Sequence, residues 1–211
     1  MFRFAGLARS INRSASIVKP TLKSFSKPLT PLTIRKASGY SFDPEAQAID
    51  EIEEGTRVLN EGDVEGAKEK YQRSLDIQKE GKTAAMGLFN LGVTQFYTKD
   101  IQGAIATWEK SLAIEPTSDL LSNLASAHIL SSPSNPAKAL EYLTQARDVN
   151  PDDPEVAFNL GVVSEATGQL ESALDNYKAA KSLGVERAEE NVRNVGAKII
   201  SERAKKAEQE E

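Results

Sequence analysis

The chain has 211 residues, and 39% of them are hydrophobic, which is enough for a continuous core in one or two ordinary domains. It contains no cysteine, and this excludes a disulfide framework, thiolate chemistry and cysteine-ligated zinc. The net charge of −5 conceals an asymmetry: residues 1–42 carry eight basic residues and no acidic one, whereas the remainder carries 18 basic and 31 acidic residues, a charge of −13. We therefore expect the two parts to serve different purposes.

Residues 1–42 have the composition of a disordered targeting segment. On a helical wheel, the early apolar residues fall on one side and Arg3, Arg9 and Arg13 on the other, which predicts a basic amphipathic helix on binding. Serine and threonine are frequent, and three prolines prevent a longer helix. These features are typical of a mitochondrial presequence, so we expect import into mitochondria, to the matrix. The alternative is a disordered basic arm that binds nucleic acid or an anionic membrane.

Four helix hairpins are predicted to follow, over residues 43–187. Each combines two helical patterns, a turn, and small residues where the two helices meet. In the best-defined copy, Gly161 lies on the first helix, Thr167-Gly168-Gln169 forms the turn and Ala173 lies on the second helix. The predicted copies span residues 48–81, 85–117, 118–153 and 154–187.

The last segment, residues 188–211, is predicted to be a capping helix. Apolar residues recur at helical spacing at Ala188, Val192, Val195 and Ile199. This face is expected to pack on the fourth hairpin, because a terminal repeat would otherwise leave its core open to water. The charged end of the segment is expected to fray.

Small residues recur at three fixed places in every hairpin, and an aromatic residue or leucine at a fourth. The four sets are Gly55, Ala67, Tyr71 and Ser74; Gly92, Ala104, Trp108 and Ser111; Ala125, Ala139, Leu143 and Ala146; and Gly161, Ala173, Tyr177 and Ala180. This pattern resembles the tetratricopeptide repeat (TPR) family, whose unit is a helix-turn-helix of 34 residues. The resemblance implies an all-α fold: an α-solenoid of about four TPR-like hairpins plus the C-terminal capping helix.

The resemblance also implies a binding groove. In TPR proteins the first helices line a concave surface, and their sixth positions, here Glu53, Asn90, Asn123 and Asn159, point into it. Three asparagines in register resemble the ladder by which some family members, such as the glycosyltransferase that adds N-acetylglucosamine to proteins, hold an extended peptide. A carboxamide both donates and accepts, so it can satisfy a peptide unit without reading its side chain. The alternative is that these asparagines only tie neighbouring helices together.

Apolar side chains are predicted on or near the groove wall. They are Phe89, Val93, Tyr97, Phe158 and Val162. For Phe158, as for Phe96, a place in the core is an equal alternative. The acidic residues Glu53, Asp119, Glu155 and Glu165 are expected at the rim. We therefore expect a protein or peptide partner that is basic or apolar.

A second mode of binding in the TPR family is the carboxylate clamp, which grips the C-terminal acid of a chaperone. Asn90 matches one element of the clamp, but the places expected to be basic hold Ile52, Asp119 and Asn123. An acidic residue there would repel the ligand, so we expect no clamp.

The sequence carries no signal of catalysis. The single histidine, His128, lies on an apolar helix with no acidic residue within a turn, and we expect it to be a packing residue. Glycine-rich phosphate loops and acidic clusters with ligand spacing are missing, so neither a cofactor nor a metal is expected. The charge of residues 43–211 argues against nucleic-acid binding. No run approaches 18 apolar residues, so we expect no transmembrane anchor, while peripheral association with a membrane stays open.

Together these features predict a non-catalytic protein-binding adaptor or assembly scaffold in mitochondria, with the partner held in the concave groove. The alternative is a permanently bound accessory subunit of a mitochondrial enzyme complex or ribosome, held by its convex face. An import or organelle-surface receptor is a third interpretation, and without an anchor it would be peripheral.

Overall fold

All regular structure in the described part of the chain is α-helical. The computed structural model describes residues 43–210, which form two compact units, residues 43–115 and 116–210. The first unit contains α1 (Pro44–Asn60), α2 (Val64–Ile77), α3 (Gly81–Tyr97) and α4 (Ile101–Ile114). The second contains α5 (Ser118–Leu130), α6 (Pro136–Val149), α7 (Pro154–Ala166), α8 (Leu170–Ser182) and α9 (Ala188–Glu210). The predicted presequence, residues 1–42, lies outside the described residues.

Within each unit, consecutive helices pair as hairpins. In the first unit α1 packs against α2 and α3 against α4; in the second, α5 packs against α6, α7 against α8, and α9 against α8. The prediction of an all-α fold built from repeated helix hairpins is thereby confirmed. Within residues 43–210, none of the helices combines the length and the apolar character that a membrane span requires.

Three of the second helices begin at a side chain that caps the first turn. The accepting side chains are those of Asp63, Asp100 and Asn135, and the donors are the backbone N–H groups of Gly66, Gly103 and Lys138, at 2.8, 3.0 and 3.1 Å. Such a cap satisfies an N–H group that has no partner inside the helix. The turn therefore ends, and the second helix begins, at the corresponding place in each of these hairpins.

Two helices begin outside the repeat spans predicted for them. α1 begins at Pro44, where the Asp43 carboxylate accepts from the Glu45 N–H at 3.1 Å; the sequence itself favours this start, because Asp43 can cap a helix and Pro44 is acceptable in the first turn. α3 begins at Gly81, four residues before the start of the second predicted span, which was predicted from residue 85. Thr83 and Ala84 are buried there, so packing extends the helix by one turn.

The hairpins close where a large ring of the second helix lies on a glycine of the first. A methyl group placed on Gly55 would lie 2.7 Å from Tyr71 Cε1, and one placed on Gly161 would lie 2.6 Å from Tyr177 Cδ1. Trp108 packs against Gly92 in the same way. All three rings are fully buried. The glycines are therefore required by the close approach of the two helices.

The last helix covers α8 with one apolar face. Ala188, Val195 and Ile199 of α9 are buried, and Val192 is half-buried, on the face expected from the sequence. Lys198 of α9 also forms an ion pair with Glu165 of α7. The helix continues to Glu210, through the charged end that was expected to fray, and every residue from Ile200 to Glu210 is exposed.

Candidate functional site

In the second unit, α5 and α7 line a shallow apolar cleft. Its lining residues are Ala125, Ser126 and Ile129 of α5, Leu143 of α6, and Asn159, Val162 and Val163 of α7. The space inside it is about 10 Å³, which is about what one water molecule needs. Pockets for small molecules are tens of times larger. The cleft is therefore a narrow gap between two first helices, too small for a small-molecule ligand, and its lining residues are buried.

Two of the predicted asparagines belong to this unit, and both carboxamides are nearly buried. Asn123 on α5 exposes 5% and Asn159 on α7 exposes 6%. Asn159 lines the cleft, whereas Asn123 is not among the lining residues. The Asn123 Nδ2 atom is buried without a hydrogen-bond partner among residues 43–210. A buried amide donor without a partner costs about 1–3 kcal/mol, so it requires an explanation.

The alternative role of these asparagines, tying neighbouring helices together, is not supported by a hydrogen bond within the described residues. Other polar side chains in the described residues do make such bonds: Trp108 Nε1 donates to the Phe89 carbonyl at 3.0 Å, and Ser111 Oγ donates to the Ala85 carbonyl at 2.9 Å. Within the described range, neither Asn123 nor Asn159 makes a side-chain hydrogen bond to another residue. The hydrogen-bonding capacity of these two carboxamides is therefore unused within the described residues.

The two apolar residues predicted for the groove wall in this unit have different places. Val162 lines the cleft beside Asn159. Phe158 exposes only 1%; its ring lies 5.5 Å from the Tyr177 ring, and the Arg187 guanidinium covers it at 4.3 Å from the ring centroid. The structure thus places Phe158 in the core, which was the alternative left open for it.

The remaining predicted groove residues lie on α3, in the first unit. Asn90 and Phe89 are nearly buried, and Val93 is fully buried, so a partner reaches Val93 only if neighbouring side chains move. Tyr97 is 41% exposed at the end of the helix. Phe96 is buried and its ring lies 5.7 Å from the Trp108 ring, which places it in the core. Among these side chains, Tyr97 is the most accessible to a partner.

Two acidic residues expected at the rim have cationic partners. Glu155 forms an ion pair with Arg187, and Glu165 forms one with Lys198. The Tyr177 hydroxyl also donates to Glu165 Oε2 at 2.9 Å. Burial of the ring, and then the neighbouring Glu165 carboxylate, raise the pKa of Tyr177 well above its usual range. The two ion pairs, Glu155 with Arg187 and Glu165 with Lys198, reduce the attraction of the rim for a basic partner. Sequence analysis missed them because each joins residues more than 30 positions apart.

His128 belongs to the packing of the third hairpin. Its ring is stacked on that of Tyr142, with 5.5 Å between the centroids. Among residues 43–210, no group of three or more histidine, aspartate and glutamate side chains is arranged to hold a metal ion.

A comparison with protein families identifies the repeated hairpin. Residues 124–188, which include α6, α7, α8 and the second half of α5, match the family model described as Tetratricopeptide repeat. This segment is therefore similar to tetratricopeptide repeats. The TPR match includes Asn159 and Val162, whereas Asn123 lies one residue before it and Asn90 lies further upstream. TPR proteins act in general as protein-binding adaptors or scaffolds.

A curated relative shares part of this sequence. The Protein CTR9 homolog of Arabidopsis thaliana is 33% identical over 98 residues, which are 45% of this chain and 8% of that protein. The chain thus spans a small part of the length of this relative.

Solved structures share the fold. The crystal structure of YrrB, described as a TPR protein with an unusual peptide-binding site, has a TM-score of 0.61 at 24% identity and covers 71% of this chain and 76% of its own. The first TPR of Spaghetti (RPAP3), bound to the HSP90 peptide SRMEEVD, has a TM-score of 0.53 at 21% identity and covers 57% of this chain and 97% of its own. Both similarities concern the TPR fold.

Proposed function

We propose that this protein is a non-catalytic adaptor or assembly scaffold in mitochondria, which holds a partner peptide or helix along the first helices α5 and α7. The observation that supports the proposal best is the pair of nearly buried carboxamides, Asn123 and Asn159, which make no side-chain hydrogen bond within residues 43–210. Two TPR structures with the same fold are described as having a peptide-binding site or as carrying a bound peptide.

The chemistry of recognition follows from the two kinds of side chain at the cleft. A carboxamide donates from its nitrogen and accepts on its oxygen, so it can bond to both polar groups of one peptide unit. Ile129 and Val162 expose only 2% and 4%, so they would contact the aliphatic parts of the same partner only where neighbouring side chains move. The site would bind the backbone of an extended partner segment, and it would select segments with apolar side chains at the cleft.

The asparagine variants distinguish ligand binding from a structural role. The double variant Asn123→Ala and Asn159→Ala should have a free energy of unfolding no lower than that of the wild type, because no internal hydrogen bond of these side chains is lost and the unpaired Asn123 donor is removed. If the two carboxamides tied helices together, each lost bond would lower it by about 1 kcal/mol. Urea denaturation followed by circular dichroism measures the difference.

The same variant should lose its partner. We expect affinity purification from mitochondria to recover the partner at least tenfold less with the double variant, equivalent to about 1.4 kcal/mol of binding. Asn176→Ala is the matched control, since the Asn176 amide donates to the Ser172 carbonyl of its own helix at 2.8 Å. Equal recovery with all three proteins would rule out the groove as the binding surface.

A permanently bound accessory subunit is the second candidate, and exposed apolar side chains favour it. Val149 at the end of α6 is 51% exposed, and Leu183 after α8 is 36% exposed. A protein held through such positions should leave its complex when Val149 and Leu183 are changed to aspartate, and should remain bound in the double asparagine variant.

The location in mitochondria is proposed from residues 1–42, which are basic, free of acidic residues and rich in serine. A protein in the matrix should resist protease in intact mitochondria and become sensitive only after both membranes are opened. It should also be released by carbonate extraction. Degradation in intact mitochondria would place the protein on the outer surface instead.

A further inference from the structure

The last helix, α9, repeats the sequence pattern of a first helix. Asn194-Val195-Gly196 corresponds to Asn159-Leu160-Gly161 of α7, 35 residues earlier in the chain. The middle residue of each triplet, Val195 or Leu160, is buried. α9 packs on α8 through this buried side. It therefore has the character of a first helix whose second helix does not occur within the described residues.

In the complete hairpins, the glycine of this pattern receives an aromatic ring from the second helix. The pairs are Gly55 with Tyr71, Gly92 with Trp108 and Gly161 with Tyr177. In the second hairpin Phe96, one turn after Gly92, also packs on the ring of Trp108. The glycine and the residue one turn later thus form the seat for an aromatic side chain.

The same seat on α9 is open. A methyl group placed on Gly196 would have no other atom within 4 Å, apart from its own helix and chain neighbours. Ile200, one turn later, is 71% exposed, the largest exposed fraction of any large hydrophobic side chain in the described residues. Glycine destabilises the interior of an exposed helix, so a glycine with nothing packed against it has no structural benefit within the described residues.

We propose that the α9 face, formed by Gly196, Ile200 and Ala204, binds an amphipathic helix of a partner protein that carries an aromatic residue. The second helices of this chain show the pattern that fits the seat: alanine four residues before the aromatic residue, and alanine or serine three residues after it. The aromatic ring would lie on Gly196, and the small residues allow the two backbones to approach. This surface is separate from the Asn123 and Asn159 site, so the inference goes beyond the proposed function.

The charges beside the α9 face favour a partner helix over a second copy of this chain. Arg193 lies one turn before Gly196 and pairs with Glu189, and Arg203 lies one turn after Ile200 and pairs with Glu171; both arginines remain exposed. An antiparallel pair of α9 helices centred on this face would place Arg193 of one copy opposite Arg203 of the other, and like charges repel. A partner helix with acidic residues on either side of its aromatic residue would instead be attracted.

The test uses a helix that is known to fit such a seat. A fluorescent synthetic peptide with the sequence of residues 168–184 contains α8 and Tyr177, and it is titrated into the full chain while its anisotropy is measured. We expect saturable binding that is weakened at least tenfold in the Gly196→Gln variant and at least tenfold when the peptide carries Tyr177→Ala. The Asn123→Ala and Asn159→Ala variant should bind the peptide as the wild type does, which separates this test from that of the groove.

Gly196→Gln is suitable because the added side chain enters open space, so the thermal unfolding temperature should be unchanged or higher. Absence of saturable binding at millimolar peptide would overturn the proposal, as would equal binding by Gly196→Gln or by the alanine peptide. A concentration-dependent dimer in sedimentation that Gly196→Gln abolishes would also overturn it, because the occupant would then be a second copy.

Discussion

Replacing Trp108 with alanine is expected to lower the free energy of unfolding of the first unit by about 3–5 kcal/mol, the usual cost of removing a buried aromatic side chain. The Trp108 ring is fully buried against Gly92 and Phe96, and its Nε1 atom donates to the Phe89 carbonyl at 3.0 Å. The substitution leaves a cavity at the contact between α3 and α4 and leaves the carbonyl without its side-chain donor.

Urea denaturation followed by circular dichroism is the suitable measurement, because the chain has a single tryptophan and the variant has no tryptophan fluorescence. Trp108→Phe is the matched control: it retains an aromatic ring and removes the indole N–H, so its loss should be smaller. A loss of less than about 1 kcal/mol for Trp108→Ala would show that the ring does not hold the second hairpin together.

Changing Gly161 and Gly196 to alanine should move stability in opposite directions. A methyl group on Gly161 would lie 2.6 Å from Tyr177 Cδ1, and this ring cannot easily move because its hydroxyl is bonded to Glu165. We expect overpacking to cost about 1–3 kcal/mol. A methyl group on Gly196 meets no atom within 4 Å, so Gly196→Ala should add about 0.5–1 kcal/mol through helix propensity.

The two variants serve as controls for each other, since each makes the same chemical change at an equivalent place in a first helix. Chemical denaturation of both proteins under one set of conditions gives the comparison. A destabilised Gly196→Ala variant would mean that a segment of this chain already occupies the α9 face, and a stabilised Gly161→Ala variant would mean that the α7 and α8 contact is loose.

The hairpins could be predicted from the sequence because the close contact between their two helices requires small residues and a large ring at fixed spacing. A ring such as Trp108 can approach the first helix only where a glycine lies opposite, so the spacing between Gly92 and Trp108 fixes the turn between them. Helix ends were less predictable. The early start of α3 at Gly81 depends on the burial of Thr83 and Ala84, which is a property of the packed structure.

The positions of the asparagines on the first helices could be predicted from the sequence, whereas the burial of the apolar residues beside them could not. The register of Asn123 and Asn159 follows from the repeat length. Val93 and Phe158 lie on first helices that are apolar on several sides, and periodicity does not show which of those sides faces a neighbouring helix. The ion pair between Glu165 and Lys198 depends on how α9 packs. The sequence alone therefore could not show that the charge of Glu165 is balanced by Lys198.

Backbone recognition by Asn159 is tested most directly by a double-mutant cycle with the partner segment. Peptides in which single backbone nitrogens are methylated lose one N–H donor each, and calorimetry gives their affinities for the wild-type protein and for Asn159→Ala. Direct bonding predicts one peptide position at which methylation and the alanine substitution are coupled by about 0.5–1.5 kcal/mol. Additive effects at every peptide position would contradict recognition of the partner backbone by this carboxamide.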